Sequence, residues 1–409
     1  MNKKFDALLV KQVVQKYRPA IIQTAQELIR IDSPSLKEEQ VAKYISKKMQ
    51  ELQYDSVECD KYGNIFGTMK GLGGGSSVML NCHMDVVDAG DITKWKIPPY
   101  SGEIAENRIW GRGASDTKGT LAIQLYTPVI LKAAGLVPRG TIVTACVVAE
   151  ELAGFGGMMQ AREKRMLTDY AVIGEATEND IAIASRGTMH ISIKITGKSC
   201  HASIPSNGCN PIDYLKMLLP ALDTFPKEHD DIFGDSVFSV TRITTSEKGN
   251  NIIPNEVNVY IDYRQSGNDT EENVVERFRN ILSSCPMKGI TASAEAIYTP
   301  LVTYTGAEGK GYQGEYPFYV DPNTDYIQQA KLAIESAVGH TIATKPWSFA
   351  TDTGHYASQG VKCLGYSPAE IALCHSVRDS IDIGMMEEGA LGYAALVYSL
   401  ANTTKAGSE

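Results

Sequence analysis

Three apolar runs, each ending on a histidine or an acid, constrain this chain more than any other feature. Ser77-Val-Met-Leu-Asn81 leads into Cys82-His83-Met84-Asp85. Thr141-Ile-Val-Thr-Ala-Cys-Val-Val-Ala149 is followed at once by Glu150 and Glu151, and Tyr170-Ala-Val-Ile-Gly174 by Glu175. Continuous apolar runs of this length fit strands buried on both faces, as in a parallel sheet covered by helices. In open α/β sheets ligands collect at the carboxyl ends of the strands. His83, Glu150, Glu151 and Glu175 all fall at such ends, so the fold expectation already carries a site.

Helical periodicity at 7–30 and 36–53, short strands near 55–60 and 64–68, and a helix over 117–134 extend the α/β pattern. After Ala184 the pattern changes. Met189, Ile191, Ile193 and Ile195 alternate with polar residues, as do Val257, Val259, Ile261 and Tyr263, which predicts half-buried antiparallel strands. Helix candidates at 211–224 and 270–284 complete a β-α-β-β-α-β-like insert over 186–296, with Asp269 and Glu272 spaced like a capping box. An exposed strand of this insert would offer a dimer edge. Residues 302–322 read as a long return loop, and patterns at 325–338, 361–366 and 386–400 rejoin the first domain. The expected organisation is a catalytic domain of 1–185 and 297–409, with a mainly parallel sheet, around an α+β, ferredoxin-like domain of 186–296. A chain of 409 residues is long enough for two cores.

The net charge of −9 and the lack of a basic run argue against a nucleic-acid partner. No apolar stretch approaches the ~20 residues of a membrane span, and Asp6 and Lys11 break the N-terminal MNKKFDALLVKQ, which predicts no signal peptide. Eight cysteines without CxxC or regular spacing point to reduced thiols and a cytoplasmic location.

The chemistry-bearing candidates are His83, Asp116, Glu151, Glu175 and His375, with Asp85 and Glu150 alongside. Taken alone, a His-x-Asp triplet is more often a polar pair, and a Glu-Glu pair more often a solvated strand end. Together, two imidazoles and three carboxylates suit two divalent ions of the zinc class bridged by a carboxylate. Asp116 lies in the turn Gly111-Arg-Gly-Ala-Ser-Asp116-Thr-Lys-Gly119, whose glycines permit close backbone approach. An acid two residues after a histidine reads as an orienter of its ring. Neighbours on a strand point opposite ways, so one of Glu150 and Glu151 can stay off the metal as a base.

Cys82-His-Met-Asp85, the glycine turn to Gly119, Glu150-Glu151, Ile173-Gly-Glu175-Ala-Thr177 and Cys374-His375-Ser together resemble the M20 family of metallopeptidases and deacylases. That family includes desuccinylases, acetylornithine deacetylase, aminoacylase and glutamate-releasing carboxypeptidases. The resemblance implies one metal on His83, Asp116 and Glu175, and another on Asp116, Glu151 and His375. It implies Glu150 as general base and acid, Asp85 behind His83, and a cis peptide after Asp116. It also implies two Zn ions (Co or Mn as alternatives) and a homodimer formed through the insert, a lid domain whose His201 stabilises the oxyanion. Asn251, Arg264 and the loop ending at Gly354 match positions that hold the substrate carboxylate. His190, His229, His340 and His355 lack such context and read as structural.

Two stretches depart from the family pattern. Asp379 stands where many relatives carry Glu, and Phe349-Ala350 replaces smaller residues. The 302–322 segment, with five tyrosines and phenylalanines, resembles a branch of hydrolases found in purine- and selenium-related gene clusters. The resulting expectation is a two-metal amidohydrolase acting on the amide of an N-acyl amino acid or a related small carboxylate. A metallo-carboxypeptidase or dipeptidase is the alternative. A metal-binding protein without turnover is the remote one, disfavoured because ligands and base are all present.

Overall fold

The computed structural model describes residues 3–152, 154–266, 269–312 and 314–404. The chain divides into two compact units. One comprises Met1–Ser185, Pro300–Gly311 and Phe318–Glu409, and the other Arg186–Thr299 and Tyr312–Pro317.

The first unit is built on a nine-stranded sheet. Its centre is parallel: the Ile142–Val147, Val78–His83, Tyr170–Ile173 and Lys362–Tyr366 strands lie side by side in one direction. The flanks are antiparallel, because the neighbouring Ser56–Cys59 and Ile65–Met69 strands form a hairpin, and Ile181–Ser185 runs against Lys362–Tyr366. The apolar runs are buried along their whole length, as strands covered on both faces require. One face takes the helices Gly119–Ala133 and Ile383–Ala401, which pack on each other and on Val78–His83. Both are buried almost all round, which explains their weak amphipathic pattern. Ala7–Arg30 packs against both and starts where the Asp6 carboxylate accepts the Leu9 N–H at 3.1 Å. Met79, Val143, Ala145, Ala171 and Ile173 join a single core cluster with Phe66, Ala161, Trp347 and Tyr356. Register does the positioning. His83 lies opposite Val147, and Asn81 opposite Ile173, so all three strands finish at one end of the sheet.

In the second unit the Val237–Thr245, Glu256–Arg264, Thr188–Thr196 and Thr291–Ala296 strands stand in that order, all antiparallel. With the Pro211–Leu222 and Glu271–Ser283 helices this is a ferredoxin-like β-α-β-β-α-β arrangement. The alternation seen in the sequence is the burial pattern itself: Met189, Ile191, Ile193, Ile195, Val257, Val259, Ile261 and Tyr263 face inward.

Two local expectations are corrected. The cap of the Glu271–Ser283 helix is Thr270 paired with Asn273, not Asp269 with Glu272, because Tyr263 O–H (2.6 Å) and Arg277 occupy the Asp269 carboxylate. The 302–322 segment is not a loop throughout. It carries the Glu308–Tyr312, Gly314–Glu315 and Phe318–Tyr319 strands, with a turn in which the Thr303 N–H donates to Ala307 O at 3.0 Å.

Candidate metal centre

His83 is the last residue of its strand and is 1% exposed. Its Nδ1 lies 2.8 Å from the main-chain oxygen of Asp85, which fixes Nδ1 as the donor. Nε2 is thereby aimed at Asp116 Oδ1 (2.8 Å) and Glu175 Oε1 (3.5 Å). His375, held at φ +57°, places Nε2 3.0 Å from Asp116 Oδ2 and 3.1 Å from Glu151. The two oxygens of one carboxylate thus face two imidazoles. Ligand atoms of His83, Glu150 and Glu175 lie within 4.8 Å of one another, and so do those of His83, Asp116 and Glu151. The five residues singled out as ligands therefore converge, and Glu150 joins them.

Asp85 stands behind His83, as its spacing predicts, and has a second set of contacts. Its main-chain oxygen, rather than its carboxylate, receives the His83 ring, and Oδ1 stands 3.6 Å from Nδ1. The carboxylate instead accepts the N–H groups of Glu150 (3.1 Å) and Glu151 (3.2 Å) and the Ser35 hydroxyl (2.6 Å). It anchors the backbone that carries the base and one candidate ligand. Beside it Glu38, fully buried, accepts from Leu36 N (2.9 Å) and Ala149 N (3.0 Å) through Oε1. Both of those residues have positive φ, +70° and +50°, an uncommon geometry for non-glycine residues. Burial and the charge of Asp85 push the Glu38 carboxyl up to about 7. Sequence reading missed Glu38, which looks like an ordinary acid at a helix start.

The turn bearing Asp116 is braced by Asp379, whose carboxylate accepts Gly113 N (2.7 Å), Ser115 N (2.9 Å) and Arg112 Nη1 (3.1 Å). Burial raises the Asp379 carboxyl to about 7. Lys118, also buried, donates to Ile31 O at 2.6 Å, and burial lowers its ammonium to about 7. The Asp116–Thr117 peptide is cis.

The electrostatics of the cluster follow from burying four acids beside two imidazoles. Burial, then the charge of Asp116, raises Glu175 to about 8, and burial with repulsion among the acids also raises Glu150 and Glu151. Burial opposes the imidazolium of His83, yet Asp116, Asp85 and Glu175 push its pKa well above the ordinary histidine value. Hydrogen bonds to Asp116 and Glu151 raise His375 to about 10. Burial works against the Asp116 anion, but His375 and His83 hold its pKa low. Were all four carboxylates ionised, they would carry more negative charge than two protonated histidines neutralise, and Glu150 and Glu175 are accordingly pushed toward their neutral forms. Cations held between these donors remove that conflict, and the carboxylate and imidazole set fits divalent ions of the zinc class.

The remaining candidates sit as follows. Gly354 is buried in the Thr353–Ala357 turn of helix in the first unit. In the second unit, Cys200–His201 pairs with Ile252–Ile253, and Asn251 O accepts from Ala202 N at 2.9 Å. His201 Nδ1 accepts from Ser203 N (3.1 Å) and is 2.7 Å from its hydroxyl. The exposed Arg264 grips Asp262 with Nε (2.8 Å) and Nη2 (3.0 Å). His190, His229 and His340 lie 3.5, 2.8 and 3.1 Å from carboxylate oxygens of Asp262, Asp235 and Glu388.

Residues 79–399 match the model of peptidase family M20/M25/M40. The chain belongs to that family. As an M20 protein it is a hydrolase. It is 25% identical to the uncharacterized protein YgeY of Escherichia coli strain K12 over 408 residues, covering 98% of this chain and 99% of that one. It is 32% identical to a succinyl-diaminopimelate desuccinylase of Paracoccus denitrificans over 235 residues, covering 54% and 61%. In fold it is similar to the Bacillus subtilis YXEP protein, described as a dinuclear metal binding M20 peptidase. The TM-score is 0.70 at 14% identity, over 95% of this chain and 99% of that one. The M20 match spans every residue of the cluster.

Proposed function

We propose that this M20 hydrolase is a two-metal amidohydrolase that cleaves the amide of an N-acyl amino acid or a related small carboxylate. The observation carrying this reading is Asp116, whose two oxygens face His83 and His375. His83, Asp116 and Glu175 would hold one ion, and Asp116, Glu151 and His375 the other, with Zn favoured by the imidazole and carboxylate donors. Divalent ions in such a site supply an acidified water and positive charge for a developing oxyanion.

The chain's own residues do the rest. Glu150 accepts the proton of the attacking water and returns it to the leaving nitrogen. Asp85 and Glu38 hold its backbone in place. His201 donates to the oxyanion from the second unit, which acts as lid and dimerisation domain. Asn251, Arg264 and the Gly354 loop receive the substrate carboxylate, for which the Arg264 fork exchanges Asp262. The long, largely exposed Val237–Thr245 edge strand supports a homodimer formed through that unit. Among the described residues no helix is long and apolar enough to cross a membrane. With eight unpaired cysteines, the proposed location is the cytoplasm.

Release of free amine from acetyl- and succinyl-amino acids, set beside cleavage of dipeptides, tests the reading. Acyl release that falls ~10²–10⁴-fold in Glu150→Gln supports it. Cleavage of dipeptides alone moves the protein to the peptidases, and unchanged hydrolysis in Glu150→Gln removes the assigned base.

A further inference from the structure

The cavity at the cluster has a volume of about 320 Å³ and two contrasting sets of lining residues. One set is the cluster itself: Asp116, Glu150, Glu151, Glu175 and His375. The other is Ser348, Phe349, Ala350, Ile371 and Cys374, without a formal charge among them. No lysine or arginine lines this cavity among the described residues.

The apolar members are held by the fold. Phe349 lies 6.1 Å from Trp347, ring centre to ring centre, and packs against the core cluster. Trp347 is 2% exposed and donates its indole N–H to Ala176 O at 2.9 Å, one residue after Glu175. The Phe349 ring is therefore tied to the strand end that carries Glu175. Ile371 opens the Ile371–Leu373 turn and, at 39% exposure, shows its side chain at the cavity.

An N-acyl amino acid presents a carboxylate, a side chain and an acyl group, and with the amine held constant only the acyl group varies. With the substrate's own carboxylate assigned to Asn251, Arg264 and the Gly354 loop, this wall has no cation for a second carboxylate, and leaving that charge unpaired is costly. The uncharged end of the substrate belongs against it. Resting on the amidohydrolase reading, we infer that Phe349 and Ile371 select an apolar acyl group, longer than acetyl, and disfavour an acyl group ending in a carboxylate such as succinyl.

The test uses the full-length protein with added Zn²⁺ and one amine, N-acylated with acetyl, succinyl or 4-methylpentanoyl. The last has the shape of succinyl without its charge. The expected kcat/KM for 4-methylpentanoyl exceeds those for succinyl and acetyl by at least ~10-fold, the scale of methylene discrimination in an apolar pocket. Phe349→Ser and Ile371→Ser each narrow both ratios, and Ile371, on an exposed turn, provides the variant that folds if the first does not. Equal or faster turnover of the succinyl substrate overturns the inference while leaving the amidohydrolase reading standing. Ratios unchanged in a folded Ile371→Ser and Phe349→Ser also overturn it. Failure to release any of the three acyl groups sinks the parent reading instead.

Discussion

Replacing Asp85 separates two accounts of how this site is built. By spacing, its carboxylate orients His83. In the structure it holds the backbone of Glu150 and Glu151, at 3.1 and 3.2 Å, and the Ser35 hydroxyl. Asp85→Ala leaves two part-buried amide N–H groups without this acceptor, at up to about 1–3 kcal/mol each, so roughly 2–6 kcal/mol is the local upper bound. Relief of repulsion with Glu38 offsets part of this. Asp85→Asn keeps the shape but turns one acceptor into a donor, so about 1–3 kcal/mol is expected. Amide hydrogen exchange over 148–152 reports the local loss directly, without assuming that a two-unit chain unfolds in one step. In Asp85→Asn these amides should exchange ~5–150-fold faster. Turnover at saturating metal should fall ~10–100-fold, as for other residues that support a metal site. Unchanged exchange, with full turnover restored by excess metal, would show that the carboxylate acts through His83 and refute the reasoning.

Glu38 gives a pH signature. Its carboxyl is raised from 4.5 to about 7, so the folded state keeps a proton that the unfolded chain releases. Stability of the metal-depleted protein then falls as pH rises from 4.5 to 7, by at most ~1.4 kcal/mol per unit from this group. Glu38→Gln should flatten that slope in denaturant titrations at pH 5 and 7, and a parallel pair of curves would contradict it. Gly157→Ala, in the Phe155–Arg162 helix, should lower the Tm, because the added methyl overlaps the Asp352 carboxylate. Overpacking of about 1–3 kcal/mol outweighs the ~1 kcal/mol gained in helix propensity, and a raised Tm would show the site to be roomier than it looks. His201→Ala should reduce kcat with metal content unchanged; equal loss of both would remove its assigned role.

Much of the site was legible because a parallel sheet turns chain patterns into place. Apolar runs ending in His83, Glu150, Glu151 and Glu175 become adjacent strand ends once register aligns His83 with Val147. What stayed hidden depends on contacts that spacing cannot express. His-x-Asp does not say whether the main-chain or side-chain oxygen of Asp85 meets the ring. Glu38 meets Ala149 across 111 residues, while locally it reads as the start of an amphipathic helix. Asp269 is drawn off the helix cap by Tyr263 and Arg277. The Gly314–Glu315 and Phe318–Tyr319 strands are two residues long, too short for any period to show. The hairpin flank of the first sheet shares its apolar character with the parallel centre, so direction could not be read from composition.

The central claim is that Asp116 joins two cation sites. The most direct measurement is metal content per chain by inductively coupled plasma mass spectrometry, taken alongside amide hydrolysis as the metal is removed with a chelator and restored. Two divalent ions per chain, with hydrolysis lost and regained in step, is the predicted result. Full hydrolysis by a metal-free chain would contradict the account at His83, Asp116 and His375 together.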